Sequence, residues 1–322
     1  MAGRWAREYL DSGVSRRTFL KAIGAAAVVA SSVVPGCIGE SSVVPSVTPA
    51  ASPSVPAASE GIIVAIDADP VKLVDKAIDA YGGLSDIIKK GDRVLVKANF
   101  AFAKEEKYGT CNHPQVLARI MERCRDAGAG EVVVADHTLD NPAKSLQVSG
   151  IKAALDRAGF RAEPFNNGPY VDKAIPGSTL GSAGIAKSLL DADVFINAPI
   201  IKSHSSATMT ASMKNLIGAV SDMGAFHTKG LDRCIADIAG YLRPTMIIAD
   251  AYRVPRYGGP NNGKVDNMIY PHTVIIGHDP VAIDSYGASL MNIKPRDVGH
   301  IMEAYEAGLG EYDLDKVNVT RV

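Results

Sequence analysis

The sequence predicts an α/β fold built on a mainly parallel, doubly wound sheet with helices on both faces. Short apolar runs alternate with segments of helical length along most of the 322-residue chain. The runs are rich in β-branched residues and apolar at nearly every position, which is typical of strands buried on both faces. Regular alternation of strands and helices favours a parallel sheet.

Six strands and six helices are predicted, and they largely alternate along the chain. The strands are expected at residues 62–66, 94–96, 132–135, 194–196, 246–249 and 274–276. The helices are expected at residues 71–81, 114–127, 151–158, 208–217, 231–242 and 281–290. Pro114 suits the first turn of a helix, and Gly128 and Gly218 occupy positions where helices commonly end.

Five of the apolar runs lead into Asn or Asp, namely Asn99, Asp136, Asn197, Asp250 and Asp279. Ligands of open parallel sheets bind in the crevice beyond the carboxyl ends of the strands. Each polar residue taken alone is explained better as a cap of the following helix or turn. As a set, they predict a shared cleft.

Residues 197–218 carry the densest group of reactive side chains. Lys202 and His204 are expected in a loop before the helix at 208–217, whose N-terminus favours an anion. Thr210 and Lys214 are four residues apart, on one face of that helix. Positive charge with nearby hydroxyls suits a phosphate, carboxylate or enolate. The alternative is a solvated loop whose Ser and Thr residues cap the helix.

The predicted site has catalytic and ligand-binding members. His204 is expected to act as a general base or a metal ligand, because its pKa is tunable near neutral pH. The catalytic set is His204, Lys202 and Lys214, and the ligand-binding set is Lys97, Asn99, Asn197, Thr210, Asn215, Asp136 and Asp250. Asp279 and Asp284 could add carboxylates for a metal ion, but Asp279 before Pro280 fits a helix cap better.

The first sixty residues are predicted to be a targeting segment and a tether. S-R-R-T-F-L-K at 15–21 matches the twin-arginine export pattern, and a short apolar run follows at 22–34. Cys37 follows V-P-G, which resembles a lipoprotein cleavage site, so we expect it to carry the lipid anchor. The predicted parts are a signal peptide at 1–36, a Ser/Pro-rich tether at 37–60 and an α/β domain at 61–322. The alternative is cleavage near residue 57 and release.

The charge and cysteine content of the chain indicate which kinds of partner it can bind. The formal net charge is −1 with no basic block in the body of the chain, which argues against nucleic-acid binding. The four cysteines are scattered and form no iron–sulfur motif. Three of them (Cys111, Cys124 and Cys234) are interpreted as buried thiols, with a disulfide as the alternative in an exported protein. The expected partners are the twin-arginine export machinery, the membrane and a small-molecule ligand.

The chain resembles the family called domain of unknown function 362 over residues 62–290. The resemblance rests on V-K-A-N at 96–99, D-V-F-I-N at 193–197, K-S-H at 202–204, M-K-N-L-I-G at 213–218, A-D-A at 249–251, G-G-P at 258–260 and G-H-D-P-V-A-I-D at 277–284. It implies an α/β fold and a frequent association with iron–sulfur domains, but no particular reaction. This chain lacks the cysteine-rich segment that some members carry.

These observations lead to a hypothesis and two alternatives. The hypothesis is an envelope-anchored protein that binds, and as an enzyme would transform, a small anionic or carbonyl-bearing ligand. The first alternative is a non-catalytic lipoprotein that captures a solute. The second is an accessory protein that hands on a cofactor. The sequence names no cofactor, although its carboxylates and imidazoles are compatible with a metal ion.

Overall fold

A computed structural model describes residues 61–175 and 178–322 of the chain. These residues belong to one compact unit. They form the strands β1 (Ile62–Ile66), β2 (Arg93–Lys97), β3 (Glu131–Ala135), β4 (Arg161–Ala162), β5 (Tyr170–Ile175), β6 (Gly181–Ala186), β7 (Val194–Asn197), β8 (Lys202–His204), β9 (Thr208–Thr210), β10 (Met246–Ala251), β11 (Val254–Pro255), β12 (Met268–Ile269), β13 (Thr273–Gly277) and β14 (Val319–Arg321). Eight of the strands form the central sheet, in the order β14-β1-β13-β10-β7-β2-β3-β4.

The helices pack on both faces of this sheet. They are α1 (Pro70–Tyr81), α2 (Pro114–Asp126), α3 (Pro142–Val148), α4 (Ile151–Ala158), α5 (Lys187–Leu190), α6 (Ser212–Asn215), α7 (Gly224–Lys229), α8 (Leu231–Leu242), α9 (Pro280–Leu290) and α10 (Gly299–Glu306). Short 3₁₀ helices span Glu106–Tyr108, Phe165–Asn167, Leu216–Ala219, Val265–Asn267 and Pro295–Asp297.

The strands separate two hydrophobic cores because successive side chains point to opposite faces of a sheet. In β2, Leu95 belongs to the core beneath α8, α9 and α10, whereas Val94 and Val96 belong to the core beneath α1, α2 and α4. All three side chains are fully buried. This double burial explains why the strands are apolar at nearly every position.

Side chains at the helix starts account for several boundaries. The Asp69 carboxylate accepts hydrogen bonds from the first turn of α1, and Pro70 follows at its first position. Asp279 caps α9 in the same way through the Ala282 N–H, with Pro280 following. The carboxylate of Asp279 therefore serves as the helix cap that the sequence favoured.

The predicted α/β class is confirmed, but one strand runs against the others. β13 pairs antiparallel with both β1 and β10, and Gly277 lies opposite Ile247 near the start of β10. The residues after β13 therefore lie at the sheet edge opposite the carboxyl ends of β10 and its parallel neighbours. The expectation that Asp279 shares a cleft with the other four polar strand ends is wrong.

The predicted helix at 208–217 is also wrong. Thr208–Thr210 is a strand that pairs antiparallel with Lys202–His204, and only the four residues of α6 and a 3₁₀ turn follow it. Met209, Met213 and Leu216 are buried at a spacing that imitates a helix. Thr210 lies opposite Lys202 in the hairpin instead of one helical turn before Lys214.

Cys111, Cys124 and Cys234 are free, buried thiols, in agreement with the favoured interpretation. No described helix is both long and apolar enough to cross a membrane. The predicted signal peptide at 1–36, the lipid on Cys37 and the tether at 37–60 all lie outside the described residues.

Candidate functional site

Four neighbouring parallel strands bring polar side chains to one edge of the sheet. From β10 through β7 and β2 to β3, these side chains are Asp250, Asn197, Lys97 and Asp136, the last of which follows β3 directly. β2 and β7 are neighbours in the sheet. β3, the strand that follows β2 in the chain, lies on the outer side of β2, whereas β10 lies on the outer side of β7, so the strand order changes direction between β2 and β7. Such a switch point in strand order is where open α/β sheets form their ligand crevices.

The centre of this edge is a buried ion pair between Lys97 and Asp136. The Lys97 Nζ lies 2.6 Å from the Asp136 Oδ1, and the two side chains are 1% and 2% exposed. Asp136 also accepts a hydrogen bond from the Phe100 N–H at 2.8 Å. Burial lowers the pKa of Lys97, and the negative charge of Asp136 opposes that shift. The pair fixes the ends of β2 and β3 against each other.

Asn215 in α6 connects the two central strands. Its Oδ1 accepts hydrogen bonds from Lys97 Nζ at 3.1 Å and Asn99 Nδ2 at 3.0 Å. Its Nδ2 donates to Asn197 Oδ1 at 2.9 Å. Asn197 in turn donates to the Ser212 carbonyl at the start of α6. This network places α6 directly over the ends of β2 and β7.

Lys202 is a buried cation without a carboxylate partner in the described part of the chain. Its side chain is 1% exposed, and its Nζ donates to Asn99 Oδ1 at 3.0 Å and the Thr110 carbonyl at 2.5 Å. The ammonium lies 5.5 Å from the centre of the Phe102 ring. Desolvation by burial lowers its pKa to about 8. Neutral acceptors alone leave its positive charge uncompensated.

His204 closes the turn of the β8–β9 hairpin. Its Nδ1 accepts hydrogen bonds from the backbone N–H groups of Ser206 at 3.2 Å and Ala207 at 3.3 Å. Burial, followed by the positive charges of Lys214 and Lys202, lowers the pKa of His204 to about 2. A neutral ring whose Nδ1 accepts must carry its proton on Nε2.

Eight of the ten predicted site residues line one pocket with a volume of about 90 Å³. They are Lys97, Asn99, Asp136, Lys202, His204, Thr210, Lys214 and Asn215. Burial lowers the pKa of the half-buried Lys214 to about 8, and the charges of Lys202 and Lys97 add to that effect. The volume suits a ligand of few atoms, since pockets for drug-sized molecules measure roughly 300–1,000 Å³.

Asn197 and Asp250 do not line the pocket, but they support residues that do. Asn197 holds Asn215, as described above. Asp250 accepts hydrogen bonds from the His113 N–H at 2.7 Å and from Asn112 Nδ2 at 3.3 Å. The Asn112 Oδ1 accepts from the Asn99 N–H at 2.7 Å. Both residues therefore position the side chains that reach the pocket.

Sequence reasoning missed Asn112, Thr110 and the role of Gly218. A Cβ atom on Gly218 would lie 2.6 Å from the Asp136 Oδ1 and 2.8 Å from the Lys97 Nζ, so only glycine admits the ion pair this close to the backbone. The sequence pattern predicts only that a helix ends at Gly218, and the place of this glycine within M-K-N-L-I-G is the one sequence signal of its role at the ion pair.

A second buried network, also missed, supports α6 from the side of α9. Asp284 is fully buried and accepts from the Ser212 N–H at 2.6 Å, the Ser212 Oγ at 2.5 Å and the Met213 N–H at 3.2 Å. His300, also fully buried, places its Nε2 3.7 Å from Asp284. Desolvation raises the pKa of Asp284. Asp284, which the sequence suggests as a metal ligand, therefore holds the backbone immediately before Lys214.

The described carboxylates do not converge as metal ligands. Within residues 61–175 and 178–322, no group of three or more His, Cys, Asp or Glu side chains is arranged to hold a metal ion. Asp136 is engaged by Lys97, Asp250 by backbone N–H groups and Asp279 by the α9 terminus. These three carboxylates, which the sequence suggests as metal ligands, therefore bind other groups of the protein.

The residues of this site lie within the part of the chain that matches a known protein family. A family model described as "Domain of unknown function (DUF362)" matches residues 94–289. The Thylakoid-associated protein sll1697 of Synechocystis sp. is 28% identical over 195 residues, covering 58% of this chain and 60% of that protein. The lactate racemase apoprotein from Thermoanaerobacterium thermosaccharolyticum aligns with a TM-score of 0.45 and 13% identity, covering 72% of this chain and 57% of that one.

Proposed function

We propose that this protein, which belongs to the DUF362 family, binds a small anion in the pocket at the ends of β2 and β3. The ligand would carry a carboxylate or a comparable oxyanion. Its negative charge would lie against Lys202 and Lys214, with Asn99 and Thr210 offering hydrogen bonds.

The observation that carries this proposal is the charge of the pocket. Three ammonium groups line it (Lys97, Lys202 and Lys214), but Asp136 is the one carboxylate among the described lining residues, and it pairs with Lys97. Taking a charge out of water costs several kcal/mol unless a partner compensates it. A bound anion would supply the missing compensation for the other two lysines.

We assign His204 the role of a neutral hydrogen-bond donor, in place of the general base or metal ligand expected from sequence. Its Nδ1 is occupied by two backbone N–H groups, so Nε2 is the ring nitrogen left for a ligand. A base with a pKa of about 2 would take up a proton poorly near pH 7. A neutral imidazole donor instead polarises a carbonyl or stabilises an oxyanion.

Anion affinity is expected to fall as the pH rises through about 8, where Lys202 and Lys214 lose their charge. Both pKa values are lowered from 10.5, so each ammonium is almost fully charged at pH 7, half charged near pH 8 and mostly neutral at pH 9. Calorimetric titration with sulfate and acetate should show binding that is about tenfold weaker at pH 9 than at pH 7 for each ammonium lost. These two probes keep a constant charge over this range.

The Lys152→Met variant is the matched control for this titration, because Lys152 pairs with Asp156 on an exposed helix surface. It should bind both anions as the wild type does at each pH. Absence of binding to either anion at pH 7 would remove the proposed function, and pH-independent binding would remove the assignment to Lys202 and Lys214.

Catalysis and solute capture differ in the fate of the ligand. Both use the same charged pocket, so affinity does not separate them. NMR spectra of a carboxylate mixture before and after incubation would reveal new species for an enzyme and an unchanged mixture for a binding protein.

We also propose export through the twin-arginine route and anchoring by a lipid on Cys37. Support comes from the sequence at 15–21 and 34–37. Replacing Arg16 and Arg17 with lysine should retain the protein in the cytoplasm, whereas Arg7→Lys should leave export unchanged. Cys37→Ala should move the exported protein from the membrane fraction to the soluble fraction. Normal fractionation of all three variants would refute both parts.

A further inference from the structure

Lys214 differs from the other two lysines of the pocket. Lys97 is held by Asp136 and Asn215, and Lys202 is held by Asn99 and the Thr110 carbonyl. In the part of the chain that the structure describes, the Lys214 ammonium has neither a hydrogen-bond acceptor nor an ion-pair partner. It nevertheless lines the pocket and is half-buried. Of the three amines, it is the one whose nitrogen is unengaged.

A substantial fraction of this amine is neutral near physiological pH. Burial lowers its pKa to about 8, and the charges of Lys202 and Lys97 reinforce the shift. At pH 7.5 roughly a quarter of Lys214 carries a free lone pair, compared with about one part in a thousand for an ordinary lysine. Desolvation and neighbouring cations are the two means by which proteins make a lysine nucleophilic.

The backbone that carries Lys214 is firmly held. Asp284 accepts hydrogen bonds from the N–H groups of Ser212 and Met213, and Asn215 is fixed by Lys97, Asn99 and Asn197. Residues on both sides of Lys214 are therefore anchored to the sheet and to α9. A nucleophile on such a segment meets a bound ligand with little loss of orientation.

We propose that Lys214 forms an imine with a small 2-oxo carboxylate bound in this pocket. The inference rests on the proposed function, because Lys202 would hold the carboxylate of the same ligand. His204 would donate its Nε2 hydrogen to the ketone oxygen. The pocket of about 90 Å³ admits an acid of a few carbon atoms.

The chemistry is balanced without an oxidant or a reductant. The neutral Lys214 nitrogen attacks the ketone carbon, a C–N bond forms, and the C=O electron pair moves to the oxygen. One nitrogen proton transfers to that oxygen and gives a neutral carbinolamine. The carbinolamine hydroxyl takes up from solvent the proton that the Lys214 ammonium had released before the attack, and it departs as water. The protonated imine that remains carries one positive charge, as the original ammonium did.

Reductive trapping tests the proposal. The full chain is incubated at pH 7.5 with pyruvate and sodium cyanoborohydride, and the intact mass and the modified peptide are determined. One stable pyruvate adduct per chain is expected, located on Lys214 and formed at least tenfold faster than any adduct on exposed Lys152. Excess sulfate should suppress it, because both ligands need Lys202.

Lys214→Arg keeps the positive charge but has no nucleophilic amine, so it should give no adduct at the pocket. Cooperative thermal unfolding of this variant would show that the loss is chemical. Labelling spread evenly over surface lysines, or no labelling of a wild-type protein that binds sulfate, would overturn the imine while leaving the proposed function intact. Failure of the wild type to bind sulfate or acetate would overturn the proposed function itself.

Discussion

Replacement of Lys97 with methionine is expected to lower the free energy of unfolding by about 3–5 kcal/mol. The substitution leaves the Asp136 carboxylate at 2% exposure with the Phe100 N–H as its remaining hydrogen-bond donor. An unpaired buried charge is among the few single changes that reach this magnitude. Since a domain of this kind is stable by only about 5–15 kcal/mol, the loss should be evident in chemical denaturation.

The double variant Lys97→Met with Asp136→Asn separates the loss of the ion pair from the loss of packing. The asparagine keeps an oxygen for the Phe100 N–H but removes the uncompensated charge. It should recover more than half of the stability lost in the single variant. If the single variant loses less than about 1 kcal/mol, or the double variant loses as much as the single one, the pair does not stabilise the fold in the way described.

Lys202→Met is expected to have the opposite profile, with binding lost and stability almost unchanged. Removal of a buried charge that contacts its ligand costs about 2–5 kcal/mol of binding free energy, or roughly 30-fold to several thousand-fold in sulfate or acetate affinity. Without ligand, two effects on stability oppose each other. Methionine relieves the burial of an uncompensated ammonium, but leaves Asn99 Oδ1 and the Thr110 carbonyl without their donor.

The net change for Lys202→Met should lie within about 1 kcal/mol at pH 7. The sign of its pH dependence is fixed by the lowered pKa of Lys202. Between pH 8 and 10.5 the unfolded wild type binds more protons than the folded form, so its stability rises relative to the variant across that window. A variant that unfolds like Lys97→Met, or still binds both anions with wild-type affinity, would show that Lys202 is structural.

Much of the sheet and of the pocket could be predicted from sequence because each depends on local pattern. β-branched apolar runs locate β2, β3, β7 and β10 to within two residues, since strands buried on both faces tolerate little else. The polar residues that follow these strands could be assigned to one edge once the strands were assumed to be parallel. Neighbouring parallel pairing of these four strands then brought them together.

Strand direction and non-local contacts could not be predicted in this way. Nothing in T-V-I-I-G distinguishes an antiparallel β13 from a parallel one, because both faces are buried in either case. The hairpin of Thr208–Thr210 was mistaken for a helix because buried residues there recur at a helical interval. Asn112 and Asp250 act on partners up to 138 positions away, so their roles follow from topology alone.

The pocket unites residues that are far apart along the chain, and we therefore expect it to form late in folding. Asn215 meets Lys97 across 118 positions, and Lys202 meets Asn99 across 103. Such pairings are slow to form, because closing long loops costs entropy before any contact is gained. A chain in which α6 is not in place lacks the part of the pocket lining that Lys214 and Asn215 supply. An anion specific for this cavity would therefore select the finished molecule over every precursor, and its binding would measure how much of a sample has completed folding.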